Sequence, residues 1–316
     1  MLSSEFRDSG KPPLIVILGP TAVGKTEIAI QLAERLNGEI VSADSRLFYR
    51  GMDIGTAKPS LEEQKRVPHH LIDVADPDQI VGLAEFQRLA RQTISGIHVR
   101  GHLPFLVGGT GQYVRAVTEA WQIPQVAPDS HLRQALEHWA ASIGSGGLHA
   151  RLGVVDAQAA AQIDYRNLRR TVRALEVIFL TGKRFSDQRQ KGDSPYQFYL
   201  FGLTRPRSEL YPRIDARIEA MFEQGLIGEA QALLQKGFDP NLPTFSAIGY
   251  AEAIACAQGR MTPEQAQESM KRRTHQFVRR QANWFKQHDA EIHWFPAGMT
   301  GLDEIETAIR IWLETC

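Results

Sequence analysis

The fold of this chain is decided by residues 14–26, which read LIVILGPTAVGKT. The first five are apolar, and such a short continuous run is typical of a strand buried on both faces of a parallel sheet. Residues 25–36 then place Ile28, Leu32 and Leu36 on one face of a helix. The residues between match Gly-x4-Gly-Lys-Thr, which forms a phosphate-binding loop when a strand precedes it and a helix follows it.

A loop of this kind binds phosphate through its backbone. Its N–H groups point at phosphate oxygens, and the helix N-terminus adds the positive end of its dipole. Lys25 provides a positive charge for the terminal phosphate, and Thr26 provides a hydroxyl for Mg²⁺. We therefore expect a magnesium-bound di- or triphosphate. The residues predicted to hold it are Gly19, Pro20, Thr21, Ala22, Val23, Gly24, Lys25 and Thr26.

Strands and helices alternate beyond this loop. Further strands are predicted at 39–43, 70–74, 104–107, 197–203 and 291–295, and helices at 25–36, 83–99, 207–224, 226–236 and 263–288. This alternation implies an α/β fold, here a P-loop NTPase-like, doubly wound parallel sheet with right-handed crossovers. Residues 120–196 contain no convincing strand and are predicted to form an inserted all-helical domain. The α/β core then comprises residues 1–119 and 197–316.

Two further segments are expected at the edge of the sheet where the phosphate loop lies. Asp44 ends the second strand and Gly108–Gly111 ends another, and ligands bind beyond the carboxyl ends of parallel strands. A carboxylate there can bind Mg²⁺ through water or act as a general base, although a turn cap is the alternative. Thr110 offers a hydroxyl, or simply belongs to a tight turn. Motor-type ATPases hold Mg²⁺ with an acidic residue at the end of a buried strand. In this chain the strand at 104–107 ends in glycine, and Asp73 is the remaining candidate for that acidic residue.

Basic residues cluster outside the phosphate loop. Arg166, Arg169, Arg170 and Arg173 have the spacing of one helical face, and a second cluster with interleaved aromatic residues spans 271–286. Such surfaces suit an RNA backbone and its unstacked bases, although solvated charged faces look the same in sequence.

Two arginines of the returning segment are also candidates for phosphate binding. Arg213 and Arg217 lie one helical turn apart, so both could reach phosphates bound at the loop. The alternative is that they are surface arginines paired with Asp215 or Glu219.

The bulk composition excludes several classes of protein. The chain has 316 residues with a formal net charge of zero, and two cysteines without metal-ligand spacing. No apolar run is long enough to span a bilayer, and residues 1–13 lack the apolar segment of a signal peptide. These features predict a reducing, cytoplasmic environment and no membrane partner.

Several motifs together carry a resemblance to a known family. They are GPTAVGKT at 19–26, DS at 44–45, YRGMDIGTAKP at 49–59, VGGTG at 107–111, RALEV at 173–177, IGY at 248–250 and RQANW at 280–284. In these motifs the chain resembles bacterial tRNA dimethylallyltransferases over essentially its whole length. The resemblance implies transfer of a dimethylallyl group from dimethylallyl diphosphate to N6 of the adenosine 3′ of the tRNA anticodon, with release of diphosphate.

The resemblance also implies roles for individual residues. Asp44 would take the N6 proton, with Lys25, Thr26 and Arg217 as further catalytic residues and Thr26 at Mg²⁺. Lys58, Arg213 and Arg217 would hold the diphosphate. The anticodon stem-loop of tRNA would contact Asp44, Ser45, Arg46, Leu47, Thr110, Arg133, Arg169, Arg170, Thr171, Val172, Arg173, Ser246, Ala247, Ile248, Gly249, Tyr250, Ala251, Arg279, Arg280, Gln281, Ala282, Asn283, Trp284, Phe285 and Lys286. A monomer is expected.

Two departures from the family pattern bear on these roles. Many members have glutamine shortly after Asp44-Ser45, where this chain has Arg46 and Leu47. Many also flank the Ile-Gly-Tyr motif with basic residues, where this chain has Ser246 and Ala251. The resemblance therefore implies tRNA contacts at Asp44 and Thr110 through matching residues, and at 46–47 and 246–251 through residues that differ from the family pattern.

Three other functions fit parts of the sequence. An adenylate isopentenyltransferase would use the same chemistry on a free nucleotide, but the inserted domain and the arginines favour a larger polyanion. A small-molecule P-loop kinase would consume a nucleoside triphosphate. An RNA-binding module without catalysis would keep its activity after Asp44 is replaced by asparagine.

Overall fold

Strand β1 (Pro13–Leu18) lies inside a six-stranded, wholly parallel sheet in the computed structural model. The structure describes residues 10–124, 126–188, 191–282, 284, 286, 289–298 and 301–316. The strand order is β3-β2-β4-β1-β5-β6. The other strands are β2 (Gly38–Ser42), β3 (His69–His70), β4 (Leu103–Gly108), β5 (Gln197–Thr204) and β6 (His293–Pro296). Because β1 has neighbours on both edges and helices cover both sheet faces, its apolar run is fully buried.

Helices connect the strands. They are α1 (Lys25–Arg35), α2 (Leu61–Arg66), α3 (Leu83–Val99), α4 (Gly111–Thr118), α5 (Ser130–Val155), α6 (Ala157–Gln162), α7 (Leu168–Thr181), α8 (Arg207–Glu223), α9 (Leu226–Gln235), α10 (Tyr250–Ala257), α11 (Pro263–Gln281) and α12 (Leu302–Leu313). A short 3-10 helix, Pro243–Ser246, precedes α10. The predicted α/β fold with a parallel sheet is confirmed. In the described part of the chain, no helix is long and apolar enough to cross a membrane.

Two predicted elements are shorter than expected. The third strand, predicted at 70–74, is only His69–His70, because Leu71 and Asp73 have φ angles of 61° and 55° and leave the extended region. The helix predicted to reach residue 288 ends at Gln281. The chain turns there, since the N–H of Trp284 donates to the carbonyl of Gln281 at 3.0 Å.

The chain divides into two compact units. One comprises Met1–Thr118 with Ser194–Cys316, and the other is Glu119–Asp193, where the sequence analysis placed an insertion at 120–196. The second unit contains α5, α6 and α7 around its own apolar core, which includes Leu148, Leu152 and Leu175. Within α5 the helix is interrupted at Gly144, whose φ angle is 80°.

The four arginines predicted to share a helical face do not all lie on a helix. Helix α7 begins at Leu168, because the side chain of Asn167 accepts the N–H of Arg170 and caps it. Arg166 therefore precedes the helix, and its guanidinium pairs with Asp164 at 2.8 Å. The predicted stripe is wrong in this respect, and its helical part is limited to Arg169, Arg170 and Arg173.

Candidate active site

The phosphate loop joins β1 to α1 through Gly24. The φ angle of Gly24 is 110°, in the left-handed region where a side chain would be strained. Gly24 is also the N-cap of α1, and no side chain caps the helix there. The first N–H groups of α1 are therefore directed toward the loop, which is the arrangement that binds anions at a helix N-terminus.

Lys25 is held inside the loop. Its Nζ donates to the carbonyl oxygens of Gly19, at 3.0 Å, and Pro20, at 2.8 Å. Burial lowers the pKa of the Lys25 ammonium to about 8, while the charge of Asp44 opposes this shift and the charge of Arg217 adds to it. Lys25, Asp44 and Arg217 therefore interact although they are far apart in sequence.

A cavity of about 480 Å³ opens beside the loop. Its polar lining includes five residues that the sequence analysis singled out from three separate segments: Lys25, Thr26, Asp44, Arg213 and Arg217. Apolar side chains cover other parts of the wall, among them Leu47, Ala57, Ile72 and Val107. The cavity thus combines an anion-binding end with apolar surface, which suits a ligand with a phosphate head and a hydrocarbon part.

Asp44 both lines the cavity and caps a turn. It lines the cavity directly after β2, at the carboxyl edge of the sheet. Its Oδ1 also accepts the N–H of Arg46 at 3.0 Å, which caps the turn that follows. This hydrogen bond orients the carboxylate without removing it from the cavity.

Arg213 and Arg217 are directed to the cavity and are not engaged by the acidic residues of their own helix. Asp215 lies 3.0 Å from His275, and Glu219 pairs with Lys271 at 2.5 Å. The Nε of Arg213 donates to the carbonyl of Ala22 in the phosphate loop at 3.2 Å. Burial lowers the pKa of Arg217, and the charge of Asp44 opposes this. The structure therefore contradicts the alternative in which these arginines pair with Asp215 and Glu219.

Lys58 lies between two lining residues, Ala57 and Pro59, but its side chain is engaged by other groups. Its Nζ contacts the carboxylates of Asp53 and Asp73, each at 2.5 Å, and the carbonyl of Tyr49 at 2.9 Å, and its side chain is 4% exposed. Two carboxylates neutralise its charge in this structure. Asp73, the alternative magnesium ligand of the sequence analysis, is engaged in the same cluster.

The Ile-Gly-Tyr motif packs against the segment 51–59. Tyr250 is fully buried, and its hydroxyl donates to the carboxylate of Glu229. Glu229 in turn accepts the N–H groups of Asp53, at 3.0 Å, and Ile54, at 2.9 Å. A Cβ on Gly55 would lie 2.6 Å from the Tyr250 ring, so glycine is required for this approach. Tyr250 therefore has a structural role and cannot reach an RNA from this position.

Removing the carboxylate of Glu229 should destabilise this part of the core. We expect Glu229→Ala to lower the free energy of unfolding by about 3 kcal/mol, because the Tyr250 hydroxyl and the N–H groups of Asp53 and Ile54 lose a charged acceptor at once. Urea denaturation measures this loss. The exposed Glu223→Ala is the control and should change stability by less than about 0.5 kcal/mol; equal effects of the two substitutions would contradict the assignment.

The rest of the segment 246–251 presents little surface. Ser246 is exposed and Ile248 and Ala251 are half-buried, whereas Ala247 and Gly249 are buried. On the neighbouring turn 44–47, Ser45, Arg46 and Leu47 are half-buried, and Nη1 of Arg46 donates to the carbonyl of Thr244 at 3.4 Å. Thr110 is half-buried where β4 leads into α4, at the same sheet edge as Asp44.

The inserted unit uses two of its predicted RNA-binding arginines internally. Arg133 and Arg173 bind the fully buried carboxylate of Glu176 at 2.8 and 2.7 Å. Thr171 and Val172 are buried as well, so their side chains contact the core of the unit. Arg169 and Arg170 are exposed. Of the predicted segment 169–173, only these two residues present free guanidinium surface in this structure.

The segment 279–286 divides in a similar way. Arg279, Arg280, Ala282, Trp284 and Lys286 are exposed. Gln281 is buried, with 7% exposure, and contacts the phosphate loop instead. Asn283 and Phe285 lie outside the described residues. The exposed cations and the Trp284 indole have the character of an RNA-binding surface.

The cavity is also lined by residues that were not predicted for the site, among them Thr56, Glu63 and His69. The ring Nδ1 of His69 lies 2.8 Å from the carbonyl of Val67, and burial lowers the pKa of this imidazole. Thr56 belongs to the family motif at 49–59, whereas Glu63 and His69 belong to none of the quoted motifs.

The phosphate loop at the carboxyl edge of a parallel sheet defines the chain as a P-loop α/β protein. The family model described as IPP transferase matches residues 47–288, so the chain belongs to the IPP transferase family.

Similar proteins are named as transferases of the same kind. A tRNA dimethylallyltransferase from Roseiflexus sp. (strain RS-1) is 50% identical over 96% of this chain and 99% of its own length. The structure of a tRNA isopentenylpyrophosphate transferase from Bacillus halodurans matches with a TM-score of 0.72 and 43% identity, covering 96% of this chain and 98% of that one. A eukaryotic dimethylallyltransferase described as acting on tRNA matches with a TM-score of 0.74 and 27% identity, covering 95% and 77%.

Proposed function

We propose that this protein transfers the dimethylallyl group of dimethylallyl diphosphate to N6 of the adenosine beside the tRNA anticodon, releasing diphosphate. One observation carries the proposal: Asp44 shares a single cavity with the phosphate loop, Lys25 and Arg217. The proposed base for the acceptor and the proposed cationic groups for the leaving diphosphate therefore border the same cavity. The names of the relatives support this choice of substrates.

The leaving group is stabilised by the loop side of the cavity. As the bond between the allylic carbon and the diphosphate oxygen breaks, negative charge gathers on the diphosphate. Lys25, Arg213, Arg217 and the first amides of α1 surround the place where this charge develops. The apolar wall from Leu47, Ile72 and Val107 suits the hydrocarbon part, whose carbon becomes positive.

The acceptor side depends on Asp44. The exocyclic amine of adenine is a weak nucleophile because its lone pair is delocalised into the ring. As the bond between N6 and the allylic carbon forms, Asp44 accepts one N6 proton. The target base must leave the anticodon stack to reach this cavity.

The residues present fit a magnesium ion that arrives with the diphosphate. Mg²⁺ prefers oxygen ligands and usually combines one or two protein oxygens with phosphate oxygens and water. Thr26 and Asp44 place a hydroxyl and a carboxylate on the same cavity wall, and in the described residues no three His, Cys, Asp or Glu side chains form a metal site by themselves. Thr26 is the proposed protein ligand. When bound, the ion would neutralise charge on the leaving diphosphate.

A direct assay tests the proposed reaction. The protein is incubated with labelled dimethylallyl diphosphate and Mg²⁺, and unmodified tRNA, AMP, ADP or ATP is offered as the acceptor. Label in tRNA alone is expected. Label only in a free nucleotide would identify an adenylate isopentenyltransferase, and consumption of ATP without transfer would indicate a kinase; either result overturns the proposal.

The charge of Lys25 should make diphosphate binding depend on pH. Its pKa of about 8 means that the ammonium is present at pH 7 and largely lost at pH 9.5. We expect the affinity for inorganic diphosphate, relative to that of Lys25→Arg, to fall about tenfold between these values. Titration calorimetry measures both proteins, and the arginine variant corrects for ionisation of the ligand. A constant ratio would contradict the prediction.

The setting of the reaction follows from its acceptor. Because tRNA is the proposed acceptor, the cytoplasm is the proposed location.

One cavity in one chain holds every proposed catalytic residue, so a monomer is the proposed active form. A turnover number that rises with protein concentration would contradict a monomeric active form.

A further inference from the structure

The side chain of Gln281 joins two loops at the carboxyl edge of the sheet. Its Oε1 accepts the N–H of Thr21 in the phosphate loop at 3.0 Å. Its Nε2 donates to the carbonyl of Gly109 at 3.1 Å, just before Thr110. The amide thus connects the loop proposed to hold the diphosphate with the turn proposed to lie beside the incoming base.

The amide in this orientation satisfies both partners. The N–H of Thr21 is a donor and the carbonyl of Gly109 is an acceptor, so the bridging group must present one acceptor and one donor. The approach is close, since a Cβ on Gly109 would lie 2.4 Å from Nε2 of Gln281. Glycine at this position therefore leaves the space that the bridge occupies.

The location of Gln281 separates it from the exposed residues around it. Gln281 is 7% exposed, whereas Arg280 and Ala282 on either side are exposed. The chain after Gln281 contacts α4, the helix that follows this turn: Nη2 of Arg115 donates to the carbonyl of Trp284 at 2.9 Å, and a Cβ on Gly111 would lie 2.6 Å from the Trp284 side chain. Gln281 therefore faces the loops, and its neighbours face outward.

We infer that Gln281 is a positioning residue, which holds the phosphate loop and the Gly109–Thr110 turn at a fixed separation so that donor and acceptor substrates meet. This inference rests on the proposed function. A group-transfer reaction depends steeply on the distance between its reacting atoms, and a displacement of about 1 Å can cost about 100-fold in rate. Gln281 acts on that distance without touching either substrate.

The test compares Gln281→Glu with Gln276→Glu, which makes the same change at an exposed position of the same helix. A carboxylate at 281 can still accept from Thr21, but it has no hydrogen for Gly109. We expect kcat for labelled transfer at pH 8 to fall about 10- to 100-fold in Gln281→Glu. The KM for tRNA should stay within about twofold of wild type in Gln281→Glu, since Gln281 is buried and is not part of the exposed cationic surface.

The pH profile provides a signature that a merely structural effect would not produce. A protonated carboxyl group carries a hydrogen and can again donate to Gly109, and burial raises the pKa of such a group. The ratio of Gln281→Glu to wild-type kcat should therefore rise as the pH is lowered from 8 to 5.5. A second variant, Gly109→Ala, displaces the amide by contact and should lower kcat to a similar extent, with little further loss when combined with Gln281→Glu.

Each outcome decides the inference. Equal kcat in Gln281→Glu and Gln276→Glu overturns it, as does an increase in the KM for tRNA with kcat unchanged, which would make Gln281 an RNA contact. A lowered kcat with a flat pH ratio assigns Gln281 a structural role instead. If wild-type protein transfers no label to tRNA, the proposed function fails and this inference falls with it, whereas transfer by wild type with no defect in the variant removes only the inference.

Discussion

Asp44→Asn is expected to lower kcat for dimethylallyl transfer by about 100- to 10,000-fold, which is the usual contribution of a general base. Asparagine has nearly the same shape and can still accept the N–H of Arg46, so the turn after β2 should be preserved. It cannot accept the N6 proton. Single-turnover rates with saturating tRNA measure the effect, and filter binding should show tRNA affinity close to that of wild type.

The measurement of Asp44→Asn needs two precautions. Asp44 also favours the charged form of Lys25, so removing it should lower the pKa of that ammonium further. Rates are therefore compared at pH 7 and below, where Lys25 remains charged. Asp78→Asn, at an exposed position in the loop between β3 and α3, is the control and should leave kcat unchanged. Wild-type turnover in Asp44→Asn would exclude Asp44 as the base.

Lys25→Met is expected to lower kcat/KM for dimethylallyl diphosphate by about 100- to 1000-fold, as the loss of one well-placed electrostatic donor does in other enzymes. The thioether has a similar length but carries no charge for the leaving diphosphate. It also cannot donate to the carbonyls of Gly19 and Pro20, which the ammonium now holds together. Steady-state kinetics with varied diphosphate substrate measure the loss.

A control distinguishes this loss from a general effect of removing a lysine. Lys65→Met changes an exposed lysine on α2 and should keep kcat/KM within about twofold of wild type. Thermal unfolding of both variants shows whether the fold is intact. Wild-type affinity of Lys25→Met for inorganic diphosphate would contradict the role of the ammonium.

Local patterns predicted most of the α/β core. The continuous apolar run of β1 and the helical spacing of Ile28 and Leu32 in α1 are patterns that a sequence displays directly. The bounds predicted for α3 at 83–99 match the structure. The third strand was shorter because the left-handed conformations of Leu71 and Asp73 reflect packing and turn geometry rather than periodicity.

The resemblance implied that each motif contacts a ligand directly. In the structure, some motif residues instead bind other side chains of the protein. Lys58 is neutralised by Asp53 and Asp73, and Tyr250 is buried against Glu229. Both lie in segments that shape the site. Nothing in the sequence pairs Tyr250 with Glu229 or Lys58 with Asp73, because each pair belongs to different elements that meet only after folding.

The sequence alone determined that this chain has a phosphate loop between a buried strand and a helix, since that signal is contained in consecutive residues. It also placed Asp44 and Thr110 at the same edge of the sheet, because parallel strands align their carboxyl ends. Only the tertiary structure decided which charged groups reach the loop: Arg213 and Arg217 are free to do so because Asp215 and Glu219 pair with other partners, and Gln281 spans the loop because α11 ends there. Contacts between side chains that are far apart in sequence depend on packing, so no local sequence pattern predicts them.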